Sequence, residues 1–114
     1  MIAKKPTVMI YTARPDAALL REICAGMEEE GVLYEVVSAV VGDAVTLAAA
    51  ASSASVLGTG LALCGSTIAL HIKGMERGQT VLQYENATPQ TARDAGANAA
   101  RVIKKLPFKL GERD

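Results

Sequence analysis

Tryptophan is absent from this chain of 114 residues and phenylalanine occurs once, as Phe108. The core must therefore be aliphatic, and a base-stacking surface has little to be built from. Charge of one sign is missing too: Lys plus Arg and Asp plus Glu are 12 each. With no net charge there is no broad basic field to draw in nucleic acid or anionic lipid, so neither is expected as a partner. The two cysteines, Cys24 and Cys64, lack metal-ligand spacing, no run reads as a secretory signal, and no apolar run is long enough to span a bilayer. A reducing cytoplasm is the expected setting, with both thiols acting as small hydrophobes. The length suits one domain, residues 1–114, burying about two thirds of its unfolded surface.

The usual signatures of catalysis are also missing. Gly74-Met75-Glu76-Arg77-Gly78-Gln79-Thr80 has glycines and a threonine but no lysine where a phosphate loop needs one, and reads as a turn connection. Gly58-Thr59-Gly60 precedes a strand, so it cannot present helix N-terminal amides to a pyrophosphate. The one histidine, His71, has no Cys, His or acidic neighbour at ligand spacing. None of the hydroxyls at Ser52, Ser53, Ser55, Ser66 and Thr67 lies in a nucleophile elbow. No catalytic residue and no cofactor bound by this chain alone is expected.

What is present is a regular alternation of strand and helix signals. Thr7 to Tyr11 is a short apolar run typical of a strand buried on both faces. A helix follows, with Pro15 suited to its first position, Asp16 to its cap, and Leu19, Leu20, Ile23, Cys24 and Met27 on one stripe, until Gly31 stops it. Leu33 to Val37 reads as a second strand, and Asp43 to about Ser53 as a second helix, narrow enough to lie close to a sheet. Gly60 to Cys64, Thr67 to Ile72 and Thr80 to Tyr84 read as three further strands, with Gly65-Ser66 as a turn and a helical turn as the alternative at Thr67. The last helix starts at Thr88-Pro89, runs through Lys105 and ends at Pro107. Its Ala92, Ala95, Gly96, Ala99 and Ala100 permit close backbone approach; Ala92, Ala95, Ala99, Val102 and Ile103 form the packed stripe, and Asn98 and Arg101 point away from it. The expected fold is α/β, a three-layer sandwich with a parallel or mixed sheet of about four to five strands and three helices.

One cluster stands out electrostatically. Glu28-Glu29-Glu30 closes the first helix, where the free carbonyls already carry roughly half a negative charge and acids are disfavoured. At about 100° per residue, Glu30 falls on the border of the apolar stripe, Glu28 to one side and Glu29 near the opposite face. Two meanings remain open: a solvated helix end, or a contact in which Glu29, with Glu28, meets a cation or a metal held by a partner, as hard oxygen ligands suit Mg²⁺ or Ca²⁺.

Met27-Glu28-Glu29-Glu30-Gly31-Val32, Gly60 to Cys64, Leu70-His71-Ile72-Lys73 and, above all, the run from Arg93 to Lys109 with its Asp94-Ala95-Gly96-Ala97-Asn98-Ala99-Ala100-Arg101 core resemble the small subunit of the glycerol/diol dehydratase reactivating factor. The likeness spans about positions 7 to 109 and extends to the longer medium subunit of the dehydratase, whose layout is shared with anticodon-binding domains. It implies a chaperone-like, non-catalytic role. Such a subunit pairs with a large subunit of actin- and Hsp70-like fold that binds and hydrolyses ATP to ADP, in a heterotetramer. The complex removes damaged adenosylcobalamin from an inactivated dehydratase by exchange with its medium subunit. The match at Glu29 implies a contact with a divalent metal, Mg²⁺ or Ca²⁺, shared with the large subunit. From the residues themselves, Glu28 beside it and the outward-pointing Asn98 and Arg101 are the candidates for a partner interface, with hydrogen bonding within the chain or plain solvent exposure as the alternatives for Asn98 and Arg101. Which dehydratase is served, and whether the complex works in a bacterial microcompartment, stay open at this point.

Two other classes compete. A stand-alone flavodoxin-like small-molecule-binding protein predicts polar groups converging at the strand C-termini. An RNA-binding module needs exposed aromatics on a basic face, and only Tyr11, Tyr34, Tyr84 and Phe108 are on offer, the first three without a basic run beside them.

Overall fold

The computed structural model describes residues 6–39, 42–73 and 82–104. In chain order these form β1 (Val8–Ala13), α1 (Ala17–Glu30), β2 (Tyr34–Ser38), α2 (Ala44–Ala54), β3 (Thr59–Cys64), β4 (Thr67–Ile72), β5 (Leu82–Tyr84) and α3 (Pro89–Lys104). The sheet has five strands in the order β2-β1-β3-β4-β5. β1 is parallel to both β2 and β3, whereas β3 to β4 and β4 to β5 are antiparallel. The expected mixed sheet is found, and the Thr67 segment is a strand, tied across all six of its residues to β3. The Gly74–Thr80 connection and the stop at Pro107 lie outside the described residues.

The strands present two unlike faces because side chains alternate along them. Val8, Ile10, Leu61, Leu63, Ile68 and Leu70 pack with Leu19, Ile23 and Met27 of α1 and with Ala92, Ala95, Ala99 and Ala100 of α3. On the other face Ala13, Ala62 and Ala69 meet Ala44, Leu47 and Ala48 of α2. Large residues thus fill the space under two helices, and alanines let the single narrow helix settle on the sheet. Gly60 extends this: a Cβ there would stand 2.6 Å from the Ala51 carbonyl carbon, so β3 and α2 touch through backbone.

The closest crossing joins α1 to α3. A Cβ on Gly26 would lie 2.8 Å from the Ala97 amide nitrogen and overlap the Arg93 carbonyl, and one on Gly96 would overlap the Ile23 carbonyl oxygen. Gly96 was legible as a small residue for close approach; its counterpart Gly26 lies inside an otherwise ordinary helix and was not. Val102 and Ile103 pack half-buried against the same core, in line with the expected stripe.

Side-chain caps define the helix starts. Asp16 Oδ1 accepts from the amides of Ala18 at 2.9 Å and Leu19 at 3.1 Å, which makes Asp16 the cap of α1 and leaves Pro15 one residue before it. Pro15 is therefore not the first helical residue; the carboxylate two positions ahead of Ala18 wins the cap because it reaches two free amides. At the other end Gly31 is left-handed, with φ 77°, and donates to Glu28 O.

Asp43 caps α2, accepting from Thr46 N at 2.8 Å, and its hydrogen bonds to Thr46 hold its carboxyl below the ordinary 3.8. A depressed folded-state value means that this contribution is complete above pH 3.8 and is lost as pH falls through the lower folded value. Replacing Asp43 by Asn, which can cap but does not titrate, is expected to give a shallower fall in thermal midpoint as the pH is lowered below about 4 than the parent chain shows. Parallel slopes in differential scanning calorimetry would contradict this.

Candidate functional site

The three glutamates at the end of α1 each have a different neighbour. Glu28 Oε2 accepts from the Tyr34 hydroxyl at 2.6 Å, and that bond, followed by burial, pushes the Tyr34 phenol up. Glu29 Oε2 accepts from Arg93 Nη1 at 2.6 Å, while Arg93 Nε donates to Glu22 Oε1 at 2.9 Å. Both carboxylates raise the Arg93 pKa, the hydrogen bond to Glu22 first and the field of Glu29 next. Glu30 accepts from Arg101 Nε at 3.2 Å and from Lys104 Nζ at 3.3 Å, and the same ammonium donates to the Glu30 carbonyl at 2.6 Å.

In the chain by itself, positive charge for the end of α1 is supplied by α3. Arg93, Arg101 and Lys104 reach Glu22, Glu29 and Glu30 because the Gly26–Gly96 crossing sets α3 against α1. These partners are 64 to 74 positions apart, beyond any rule based on local spacing. The one sequence signal for them is periodic and lies on α1, where Glu22 and Glu29 are about two helical turns apart on one face; Arg93 and Arg101 diverge by about 80° and share no such face. Lys104 also neutralises the terminal carbonyl, which offsets the unfavourable dipole contact.

The helical wheel is matched at this end of α1. The Glu29 side chain is 52% exposed and that of Glu30 only 13%. α3 does not follow its expected orientation. Asn98, expected to point away from the packed stripe, is 1% exposed and hydrogen-bonds Tyr84. α3 is wedged between α1 and the sheet, so a wider arc of it is covered than one apolar stripe would require, and Asn98 cannot itself touch a partner in this packing. Arg101 turns along the surface to Glu30 instead of outward.

The switch point of the sheet, between the C-terminal ends of β1 and β3, is where a flavodoxin-like protein would bind its ligand. Here the Gly65 turn fills it: Gly65 N donates to the Ala13 and Arg14 carbonyls and Asp16 N donates to Gly65 O at 3.1 Å. The first amides of α1 are taken by Asp16, so the anion-binding capacity of that helix end is already used. His71 lies opposite Gly60 in β4, with its Nδ1 buried and without a hydrogen-bond partner among the described residues. Burial raises the Cys24 and Cys64 thiols, which keeps them protonated and unreactive. The half-buried Tyr34 and Tyr84 are hydrogen-bonded to Glu28 and Asn98, which does not suit base stacking.

No group of three His, Cys, Asp or Glu side chains that could hold a metal occurs among the described residues. Glu29 supplies one exposed, hard-oxygen carboxylate at a place that already attracts a cation. That donor set fits a metal site completed by a second chain and does not fit one held by this chain alone. No helix among the described residues is long and apolar enough to cross a membrane.

Comparison with known proteins adds relatives along nearly the whole chain. The family model of the dehydratase medium subunit matches residues 5–109. The propanediol dehydratase-reactivating factor small subunit of Salmonella typhimurium is 30% identical over 107 residues, covering 91% of this chain and 90% of the relative. The diol dehydratase-reactivating factor small subunit of Klebsiella michiganensis is 29% identical over 107 residues, covering 91% and 84%. A solved diol dehydratase-reactivating factor complexed with ADP and Mg²⁺ superposes with a TM-score of 0.86 at 28% identity, over 93% of this chain and 99% of the matched one. A solved glycerol dehydratase reactivase superposes with a TM-score of 0.85 at 30% identity, over 92% and 97%.

Proposed function

This chain belongs to the dehydratase medium subunit family, and from that membership we propose that it is the non-catalytic small subunit of a reactivating factor for a B12-dependent diol or glycerol dehydratase. It pairs with a large subunit that binds ATP and ADP, in a heterotetramer that works in the cytoplasm. The complex frees damaged adenosylcobalamin when this chain exchanges places with the medium subunit of the inactivated dehydratase. The observation that supports this best is the end-to-end likeness to reactivating-factor chains within a family named for a dehydratase subunit. One fold common to both proteins is what an exchange of places requires. The filled switch point and the thiols kept protonated by burial agree with a chain that acts by docking.

Within the complex, Glu29 contributes one ligand to a divalent metal, Mg²⁺ or Ca²⁺, shared with the large subunit, and Glu28 lies beside it at the rim. Arg101 acts by holding Glu30, and so the end of α1, in place. A carboxylate-to-metal contact at an interface edge can be made and broken without repacking a core, which suits a subunit that must hold and then let go.

The direct test is to mix the chain with its large subunit and look for a co-eluting complex that restores a glycerol-inactivated dehydratase given ATP, Mg²⁺ and fresh cobalamin. Absence of both complex and rescue would sink the proposal. Replacing Glu29 by Ala should weaken the complex at least about tenfold, or about 1.4 kcal/mol. The thermal midpoint should barely move, since the side chain is exposed and Arg93 keeps Glu22. Unchanged affinity in isothermal titration calorimetry would show Glu29 to be merely solvated.

A further inference from the structure

We propose that Arg93 is an internal counter-cation that holds Glu29 in the undocked chain and surrenders it to the interface metal on docking; this rests on the docking role proposed above. Glu22 and Glu29 lie seven residues apart, which on a helix returns to within about 20° of the same face. Arg93 reaches them from α3 with separate nitrogens, Nε to Glu22 at 2.9 Å and Nη1 to Glu29 at 2.6 Å. One guanidinium is thus shared by two carboxylates, and the more exposed of the two is Glu29, at 52% against 30% for Glu22.

That sharing makes the contact with Glu29 easy to give up. Departure of Glu29 leaves Arg93 paired with Glu22, so neither a bare cation nor a broken helix contact results. Arginine does not lose its proton at any ordinary pH, so it competes with a divalent ion under all working conditions. A lone carboxylate binds Mg²⁺ or Ca²⁺ weakly, and a metal displaces Arg93 only where a second chain adds its own oxygen ligands. Arg93 therefore sets the metal concentration at which docking occurs and recaptures Glu29 when the chain is released. Glu22 acts on the same balance from the other side, because it draws Arg93 away from Glu29.

The two neighbours of Glu29 are consequently expected to shift metal dependence in opposite directions. Association of the chain with its large subunit would be followed by sedimentation velocity across a titration of Mg²⁺ and, separately, Ca²⁺. In Arg93→Gln the metal concentration for half-maximal association should fall about two- to fivefold, the range of an exposed ion pair. In Glu22→Gln, where Arg93 is left to Glu29 alone, it should rise by a similar factor. Movement of both variants in the same direction, or of neither, would show that Arg93 only braces α1 against α3 and would overturn the inference. Glu29→Gln separates the two levels. If it removes the metal dependence while Arg93→Gln matches the parent, the docking role stands and the counter-cation role falls. If Glu29→Gln keeps the parent's metal dependence, both fall.

Discussion

Replacing Gly96 by valine is expected to unfold the chain or lower its stability by more than about 3 kcal/mol, beyond the usual range for an overpacked core. The obstacle is main chain: a Cβ at Gly96 overlaps the Ile23 carbonyl oxygen, and the one at Gly26 overlaps the Arg93 carbonyl. A flexible side chain could swing aside, but a carbonyl in the middle of α1 moves only if the helix moves. The more telling variant is Gly96→Ala. In an exposed helix it would stabilise by about 1 kcal/mol through helix propensity; here it should destabilise, because the single methyl already meets backbone. Urea denaturation followed by circular dichroism gives the sign directly, and a gain in midpoint for Gly96→Ala would refute the close crossing. Parting α3 from α1 would also separate Arg93, Arg101 and Lys104 from their glutamates. A folded Gly96 variant should accordingly dock poorly.

Leu63→Ala carries the second large effect, a loss of about 2–5 kcal/mol. Leu63 is fully buried in the middle of the sheet, paired across to Thr12 and Ile68, on the face that α1 and α3 cover. The α3 residues in the same cluster are the alanines 92, 95, 99 and 100, which have no side-chain length with which to refill the space. For a domain of this size total stability is about 5–15 kcal/mol, so a substantial share of it would be lost. The next residue gives the contrast: Ala62 faces α2, where backbone comes closest to the sheet, and Ala62→Leu is harmful by crowding instead of by cavity. Chemical denaturation of Leu63→Ala showing a change under about 1 kcal/mol would mean that the α1/α3 layer is looser than described.

The strand and helix order could be read along the chain because each element carries a local signal. β3 and β4 alternate leucine or isoleucine with alanine around Gly65-Ser66; α1 has its stripe, its Asp16 cap and its Gly31 stop; α3 opens on Thr88-Pro89. Boundaries moved by a residue or two, as at β1, which begins at Val8 and continues to Ala13 where Thr7 to Tyr11 was expected. Such ends are decided by pairing with a neighbouring strand, here β3, whose register with β1 runs out to Ala13–Cys64.

By itself the sequence determined the layout of elements, the aliphatic core and the outward placement of Glu29, since all of these depend on composition or on the period of one helix or strand. Only the tertiary structure decided which groups of the chain neutralise the glutamate run. Its counter-charges sit on α3, and its unfavourable place at a helix end is relieved by Lys104, Arg101 and Arg93 across a crossing that two glycines make possible. The same packing turned Asn98 inward, because a helix held between another helix and a sheet is covered over more of its circumference than its apolar stripe reveals. Electrostatic pairing between distant segments follows from where their backbones are brought together, and no period within either segment encodes that distance.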